Sequence, residues 1–209
     1  PNSVTTIGDR AFSNCVSLIS IDVVSGNPNY ASEEGVLFNS TKTTFLWFPR
    51  GKAGAYAIPN SVTEIGGSAF SGCSSLTSVT IPNSVTVIEE SAFRNCNSLT
   101  SVTIPISVTR IGRSAFSGCS NLTSVTIPNS LTEIRSGTFS NCRSLTNITI
   151  PNSVTAVGNS AFSGCSILTR VTIPNSVNRI GSGAFWGCSS LISIDVALGN
   201  LNYASEEGV

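Results

Sequence analysis

Proline, phenylalanine and cysteine recur along this chain at one common interval. Pro59, Pro82, Pro105, Pro128, Pro151 and Pro174 lie 23 residues apart, and so do Phe70, Phe93, Phe116, Phe139, Phe162 and Phe185, and Cys73, Cys96, Cys119, Cys142, Cys165 and Cys188. Three columns held in one register define a structural unit, and that unit overrides any domain count drawn from the length of 209 residues. One unit cannot fold by itself. Its handful of core side chains contribute about 1.5–3 kcal/mol each on full burial, against about 1–2 kcal/mol of conformational entropy for every ordered backbone position. Stacked copies bury each other's apolar faces, so the period predicts a solenoid whose stability is a sum of repeat and interface contributions.

The unit beginning at Leu76 places apolar residues at Leu76, Val79, Ile81, Val85, Ile88, Ala92, Phe93 and Cys96, a spacing that is neither helical nor a plain alternation. Residues 78–81 alternate polar and β-branched apolar side chains, the pattern of a short strand with Val79 and Ile81 inward. Pro82 ends that strand, because proline has no N–H for a ladder and would damage a central position. The stretch Ser91-Ala92-Phe93-Arg94-Asn95-Cys96 is too short for a full helix. A single helical turn or irregular coil is expected there, on the side opposite the strand, with the six phenylalanines stacked as a spine.

The period breaks once. Pro1 to Pro59 holds one unit plus 35 further residues, roughly 24–58. Within them Gly35-Val36-Leu37-Phe38 and Thr43-Thr44-Phe45-Leu46-Trp47-Phe48 flank Asn39-Ser40-Thr41-Lys42, which predicts a β-hairpin over 35–48 with a four-residue turn. The beginning of this insert returns 173 residues later: Ile19-Ser20-Ile21-Asp22-Val23 as Ile192-Ser193-Ile194-Asp195-Val196, and residues 29–36 as 202–209. The expected organisation is one solenoid domain over 1–209, reading as a fragment. Its parts are a first partial repeat at 1–23, an irregular insert at 24–58, six 23-residue repeats at 59–196 and the truncated start of a second insert at 197–209.

Charged residues make up only 11%, with 11 basic against 11 acidic, which gives no electrostatic footprint for nucleic acid or an anionic membrane. The longest apolar runs fall far short of the roughly 18–20 residues that span a bilayer, so direct membrane insertion is not expected. Histidine is absent, which removes Ser-His-Asp and Cys-His arrangements. No glycine-rich phosphate loop precedes a helix, and Glu33-Glu34 and Glu206-Glu207 occupy equivalent turns as solvated pairs. The chain is therefore read as no enzyme, with no catalytic, cofactor or metal site. The seven cysteines lack the clustered spacing of a zinc site, and a ladder holds their Cβ vectors parallel, which does not suit a bridge. They are expected to be buried free thiols acting as small hydrophobes.

Parallel strands in register should present two outward ladders, Ser78, Ser101, Ser124, Asn147, Arg170 and Ser193 in one and Thr80, Thr103, Thr126, Thr149, Thr172 and Asp195 in the other. Most rungs are small and neutral, and variation concentrates at Asn147, Arg170 and Asp195. Together with Thr149 and Thr172 these form one candidate partner-binding surface, set against the plainer reading that serine and threonine are soluble strand formers. The insert is the second candidate, because Tyr30, Phe45, Trp47, Phe48 and Tyr56 concentrate aromatic area in one place; the plainer reading is that they cover the solenoid's flank. Charge columns put Arg110 one rung, about 5 Å, from Glu133 and Glu90 beside Arg113, predicting cross-repeat ion pairs of about 0–1 kcal/mol each.

The pattern L-x-x-V-x-I-P-x-x-V-x-x-I-x-x-x-A-F-x-x-C, as in residues 99–119 and 168–188, closely resembles the BspA-like class of leucine-rich repeats. The insert, with its N-P-N-Y opening and Pro49-Arg50-Gly51-Lys52, is similar to an irregular unit of that family. The resemblance implies an α/β leucine-rich-repeat solenoid, right-handed, curved and mostly β by content. Short parallel strands would line its concave face, with irregular coil or single helical turns on the convex face. It also implies a cell-surface or secreted location and an adhesin-like module that binds a host matrix or neighbouring-cell protein, or a glycan, through the concave face or the aromatic insert. The alternative is a structural spacer or self-assembly element of a larger surface protein, associating through uncapped ends.

Overall fold

The computed structural model describes residues 1–8 and 11–205. The end of the recurring insert motif, residues 206–209 with the Glu206-Glu207 pair, lies outside them.

The insert opens as a three-stranded antiparallel meander, β1 (Tyr30–Glu33), β2 (Val36–Asn39) and β3 (Thr44–Trp47), followed by β4 (Gly54–Ala57). Glu34 and Gly35 join β1 to β2 with φ of 50° and 75°, the mirror-image two-residue turn whose twist matches the strands it connects. The expected hairpin is β2–β3, pairing Leu37 with Trp47 and Phe38 with Phe45. Its turn is closed by Asn39, whose Oδ1 accepts the Thr44 N–H at 2.9 Å while its Nδ2 donates to Thr43 Oγ1 at 2.9 Å. This insert is part of the stack. β3 pairs in parallel with β5 (Glu64–Ile65) and β4 with β6 (Leu76–Thr80), so the insert supplies one rung to each of two ladders.

Each later repeat contributes two parallel strands. The longer ladder continues from β6 to β8 (Ser101–Thr103), β10 (Ser124–Thr126), β12 (Ile148–Thr149), β14 (Arg170–Ile173) and β16 (Ser193–Val196), its strands hydrogen-bonded in three groups, β4–β6, β8–β10 and β12–β14–β16. The shorter one runs from β5 through β7 (Val87–Ile88), β9 (Arg110–Ile111), β11 (Glu133–Ile134), β13 (Ala156–Val157) and β15 (Arg179–Ile180). Equivalent residues face each other, as in Val102 with Val125 and Ile65 with Ile88. The pattern exposed–buried–exposed along β8 and β10 is the period-two alternation of a strand with one face inward.

Of the two forms expected for residues 91–96 and their equivalents, irregular turns occur and the helical turn does not. Among the described residues no segment is helical, and the solenoid is all-β with turns where an α element was anticipated. The hydrogen bonds give the reason. In one repeat the amides of Ala92, Arg94 and Cys96 bond back three residues to Glu89, Ser91 and Phe93, while the intervening amides of Ser91, Phe93 and Asn95 donate outward to Arg113, Ala115 and Ser117 of the next repeat. With every second N–H committed to a neighbouring coil, an i to i−4 helical network has no donors left to use. Two left-handed residues per repeat, such as Ser91 at φ 58° and Asn95 at φ 59°, keep the segment turning.

The phenylalanine spine is present. Successive rings stack nearly parallel, at 4.8 Å for Phe70–Phe93 and 5.1 Å for Phe93–Phe116, and Phe45 of the insert caps the series on Phe70 at 4.5 Å. The cysteine column is also buried from Cys73 to Cys188, whereas Cys15 is exposed, contrary to the expectation for all seven. These thiols are more than small hydrophobes. Each donates to the carbonyl of a phenylalanine in the preceding coil, Cys96 to Phe70 and Cys119 to Phe93 both at 3.1 Å, so the column satisfies a buried acceptor in every rung. Burial pushes the Cys73 and Cys165 thiols up to about 12 and raises Cys96, Cys142 and Cys188 in the same direction.

One repeat departs from the others. Leu131, Arg135 and Thr138 stand where most copies have valine, glycine and alanine. The buried Thr138 turns its hydroxyl onto the Arg135 carbonyl at 2.7 Å. Around this repeat both ladders are interrupted, since β9 and β11 belong to different hydrogen-bonded sheets, as do β10 and β12. From Phe116 onward the rings sit 5.6 Å apart for two steps and 5.5 Å for the third.

Candidate functional site

The outer face of the longer ladder carries the two predicted columns. Ser78, Ser101, Ser124, Asn147 and Arg170 are exposed, as are Thr80, Thr103, Thr126, Thr149 and Thr172. The alternation fixes this, because Val79, Val102, Val125, Ile148 and Val171 between them are buried in the core. The irregular rungs fall on one three-stranded sheet, β12, β14 and β16, with Thr149 opposite Thr172 and Thr172 opposite Asp195. Five of the candidate residues, Asn147, Thr149, Arg170, Thr172 and Asp195, therefore share a surface. Arg170 and Asp195 also meet diagonally across β14 and β16, at 3.6 Å, a pairing that a comparison of single columns does not reveal.

Beside this face Ile106 replaces the asparagine found in the same column at Asn60, Asn83, Asn129, Asn152 and Asn175. Its side chain is 65% exposed. It borders an open groove of about 560 Å³ lined by Ile104, Val125, Ile127 and Pro128, with Thr126 and Thr149 of the hydroxyl face at its edge. The substitution was legible in the sequence as a break in the asparagine column; the groove was not, because its walls come from three successive repeats.

The aromatic insert is placed differently from a partner-facing patch. Phe45 is 0% exposed and Trp47 9%, since the rungs β3 and β4 turn them into the core: Phe45 stacks on Phe70, and Trp47 meets Phe12 at 6.0 Å. Tyr56 is buried against Phe48 at 5.0 Å. Tyr30 is half-buried, its hydroxyl accepting the Ile7 N–H at 2.8 Å. Tyr203 holds the Ile180 N–H in the same way at 3.0 Å, so the recurring motif builds the same brace twice. None of these aromatic side chains lies on the face of Arg170 and Asp195.

The ion pairs also differ from expectation. Arg110 does not pair with Glu133; its guanidinium grips Glu89 of the preceding repeat in a two-pronged contact, with Nη1 to Oε2 at 2.9 Å. Glu133, beyond the break in the shorter ladder, is held instead by Arg179 at 3.3 Å across the small Ala156 rung and by Arg135 at 3.8 Å. Glu90 and Arg113 form no ion pair among the described residues.

A family model described as BspA type leucine rich repeat region matches in six copies, over residues 1–51, 47–165 and 111–207. Among solved structures, the chain is similar to a leucine-rich repeat protein from Eubacterium ventriosum, with 29% identity and a TM-score of 0.79, covering 90% of this chain and 57% of that one. It is similar to a T. pallidum leucine-rich repeat protein at 30% identity and a TM-score of 0.54, over 84% of this chain and 71% of that one. The pneumococcal vaccine antigen PcpA shares the fold, at 24% identity and a TM-score of 0.52, over 90% of this chain and 43% of PcpA. A search of curated proteins finds no significant match. The chain thus spans well under two thirds of the Eubacterium protein's length, 57%.

Proposed function

From a chain that belongs to the BspA type leucine-rich repeat family, we propose a protein-binding surface module, adhesin-like, that contacts a host matrix or neighbouring-cell protein through the outer face of its longer ladder. The observation that carries this reading is the face itself: two columns of exposed hydroxyl side chains in register, ending at Asn147, Arg170 and Asp195 and bordered by the apolar groove at Ile106. A polar, uncharged surface with a few distinctive groups and an apolar edge suits a protein partner, whose affinity comes from a few anchors surrounded by neutral complementarity. The reading assigns no catalytic step to the chain, and it places the protein at the cell surface or outside the cell.

Phe45 is withdrawn from the proposed contact residues because it lies wholly within the core, and Trp47 serves to anchor the insert. Asn147, Thr149, Arg170, Thr172 and Asp195 remain, joined by Ile106. The test is binding of the chain to a panel of immobilised matrix proteins, alongside variants carrying R170A with D195A and, separately, I106N. The I106N variant restores the residue of the other repeats and should leave folding intact. Each is expected to weaken binding about tenfold or more while the thermal midpoint stays unchanged. Equal binding by all three proteins would exclude the long-strand face as the contact surface, and no binding by the parent chain to any matrix protein would favour a spacer role.

A further inference from the structure

We propose that the chain carries a second and independent site, a recess that binds the carboxylate or sulfate group of an acidic glycan. It lies beside the shorter ladder, encloses about 440 Å³ and is lined by Arg113, Arg135 and Arg179 with Glu133 as its single acidic group. Only 11% of the chain is charged, yet three arginines from three different repeats and three different columns converge here. Arg113 stands in a column otherwise occupied by Gly67, Glu90, Ser136, Asn159 and Ser182, and Arg135 in one that is glycine in four of six copies. The zero net charge of the whole chain argues against a long-range field, but it conceals this local excess of two positive charges.

Glu133 accounts for one positive charge only, shared between Arg135 at 3.8 Å and Arg179 at 3.3 Å. Arg113 is exposed and has no carboxylate partner among the described residues. The floor is main chain. At Gly158 a Cβ would fall 2.5 Å from the Ser136 nitrogen, and at Gly181 2.4 Å from the Asn159 nitrogen, so the rungs approach too closely for side chains to fill the space between the arginines. Asn159 is fixed by accepting the Ser182 N–H at 3.0 Å, which leaves its amide nitrogen as a donor.

Guanidinium groups present planar forks that match carboxylate and sulfate oxygens two at a time. The remaining lining, the Ser136 hydroxyl and Asn159 amide, suits ring hydroxyls, and no apolar wall is present on which a peptide side chain could bury itself. The volume falls within the roughly 300–1,000 Å³ of small-ligand sites. These features favour an acidic sugar over an acidic peptide.

The experiment is isothermal titration of the full chain with four probes: a sulfated heparin-derived tetrasaccharide, tetragalacturonate, neutral maltotetraose and tetraglutamate. Either acidic sugar, or both, should bind, and the stronger one identifies whether sulfate or carboxylate is the preferred group. Maltotetraose and tetraglutamate should bind at least about tenfold more weakly. R113A combined with R179A should cost about tenfold or more with an unchanged thermal midpoint, and E133Q, which preserves shape and removes the internal competitor, should strengthen binding several-fold. The proposal is overturned if no acidic sugar binds, if tetraglutamate or maltotetraose binds as well, or if the arginine variants bind like the parent.

Discussion

The serine two residues after the proline of each repeat shows how a residue that reads as surface filler can be structural. Ser84, Ser107, Ser130 and Ser176 donate their hydroxyls to the carbonyls of Val62, Val85, Val108 and Val154, at 2.5–2.8 Å. Ser153 occupies the same column, yet its hydroxyl is buried without a partner. Replacing a paired hydroxyl leaves a buried carbonyl short of a donor, whereas replacing an orphan removes a desolvation cost. S107A is therefore expected to destabilise the chain by about 0.5–1.5 kcal/mol, and S153A to be neutral or stabilising by up to about 1 kcal/mol, as read by urea denaturation. The residue before each cysteine carries a different constraint. It is Gly or Asn in every copy, and Asn95 and Asn141 both sit at φ 59°, where a Cβ-branched or alanine side chain is strained. N95A should cost about 1 kcal/mol and N95G less, because glycine removes the steric penalty that alanine keeps.

At the level of elements, the long strands and the phenylalanine spine were legible because their signal is local: residues 78–81 alternate, and the rings share one column. The shorter ladder was not, since β7 or β9 is two residues long and leaves no periodicity to detect. The missing helical turns depend on amides such as Phe93 donating to the next coil, a non-local fact that the composition of Ser91-Ala92-Phe93-Arg94-Asn95-Cys96 cannot express. The aromatic insert failed as a surface for the same reason, because the register that buries Phe45 exists only once β3 pairs with β5. In the candidate site, the irregular rungs Arg170 and Asp195 stood out in sequence but their contact did not, and the three arginines of the recess are spread over residues 113–179. The cysteine column makes a further prediction. Cys73 and Cys165 have an ordinary value of 9.0 when unfolded and are held at about 12 in the fold by burial. Above pH 9 the unfolded chain releases protons that the folded chain retains, so this stability is fully present below about 9 and is lost as pH rises toward about 12. Each of the two thiols should remove about 1.4 kcal/mol per pH unit across that window. Alkaline urea titration should show the decline, and C73A with C165A should make it shallower without abolishing it, because Cys96, Cys142 and Cys188 are raised in the same direction. A thiol reagent at pH 8 should modify Cys15 alone in the native protein, since it is the one exposed thiol.

For the molecule as a whole, a stack of equivalent coils should tolerate the loss of one coil but not of a fraction of one. Removing residues 76–98, one period of 23, joins Ser75 to Leu99 and leaves every column in register. Phe70 then faces Phe116 in the spine, and the cysteine and serine columns find carbonyls of the same kind. Arg110 loses Glu89, its present partner, but it comes to lie one rung from Glu64, which already acts on it at longer range. Gly118 would meet Gly72 in place of Asn95, whose Oδ1 now lies 2.1 Å from where a Cβ on Gly118 would be. The shortened chain is expected to unfold in a single transition with a denaturant slope lower by about one-ninth, because that slope follows the surface exposed on unfolding. A deletion of 20 residues from the same point, 76–95, displaces every downstream column by three. It would put the outward Ser101 in the buried column of Ile81 and Phe116 in the cysteine column, without a ring to stack on. Circular dichroism and urea melts on the two deletions separate the outcomes: if both fold alike, stacking in register is not what holds this solenoid together, and if neither folds, its coils are not interchangeable units.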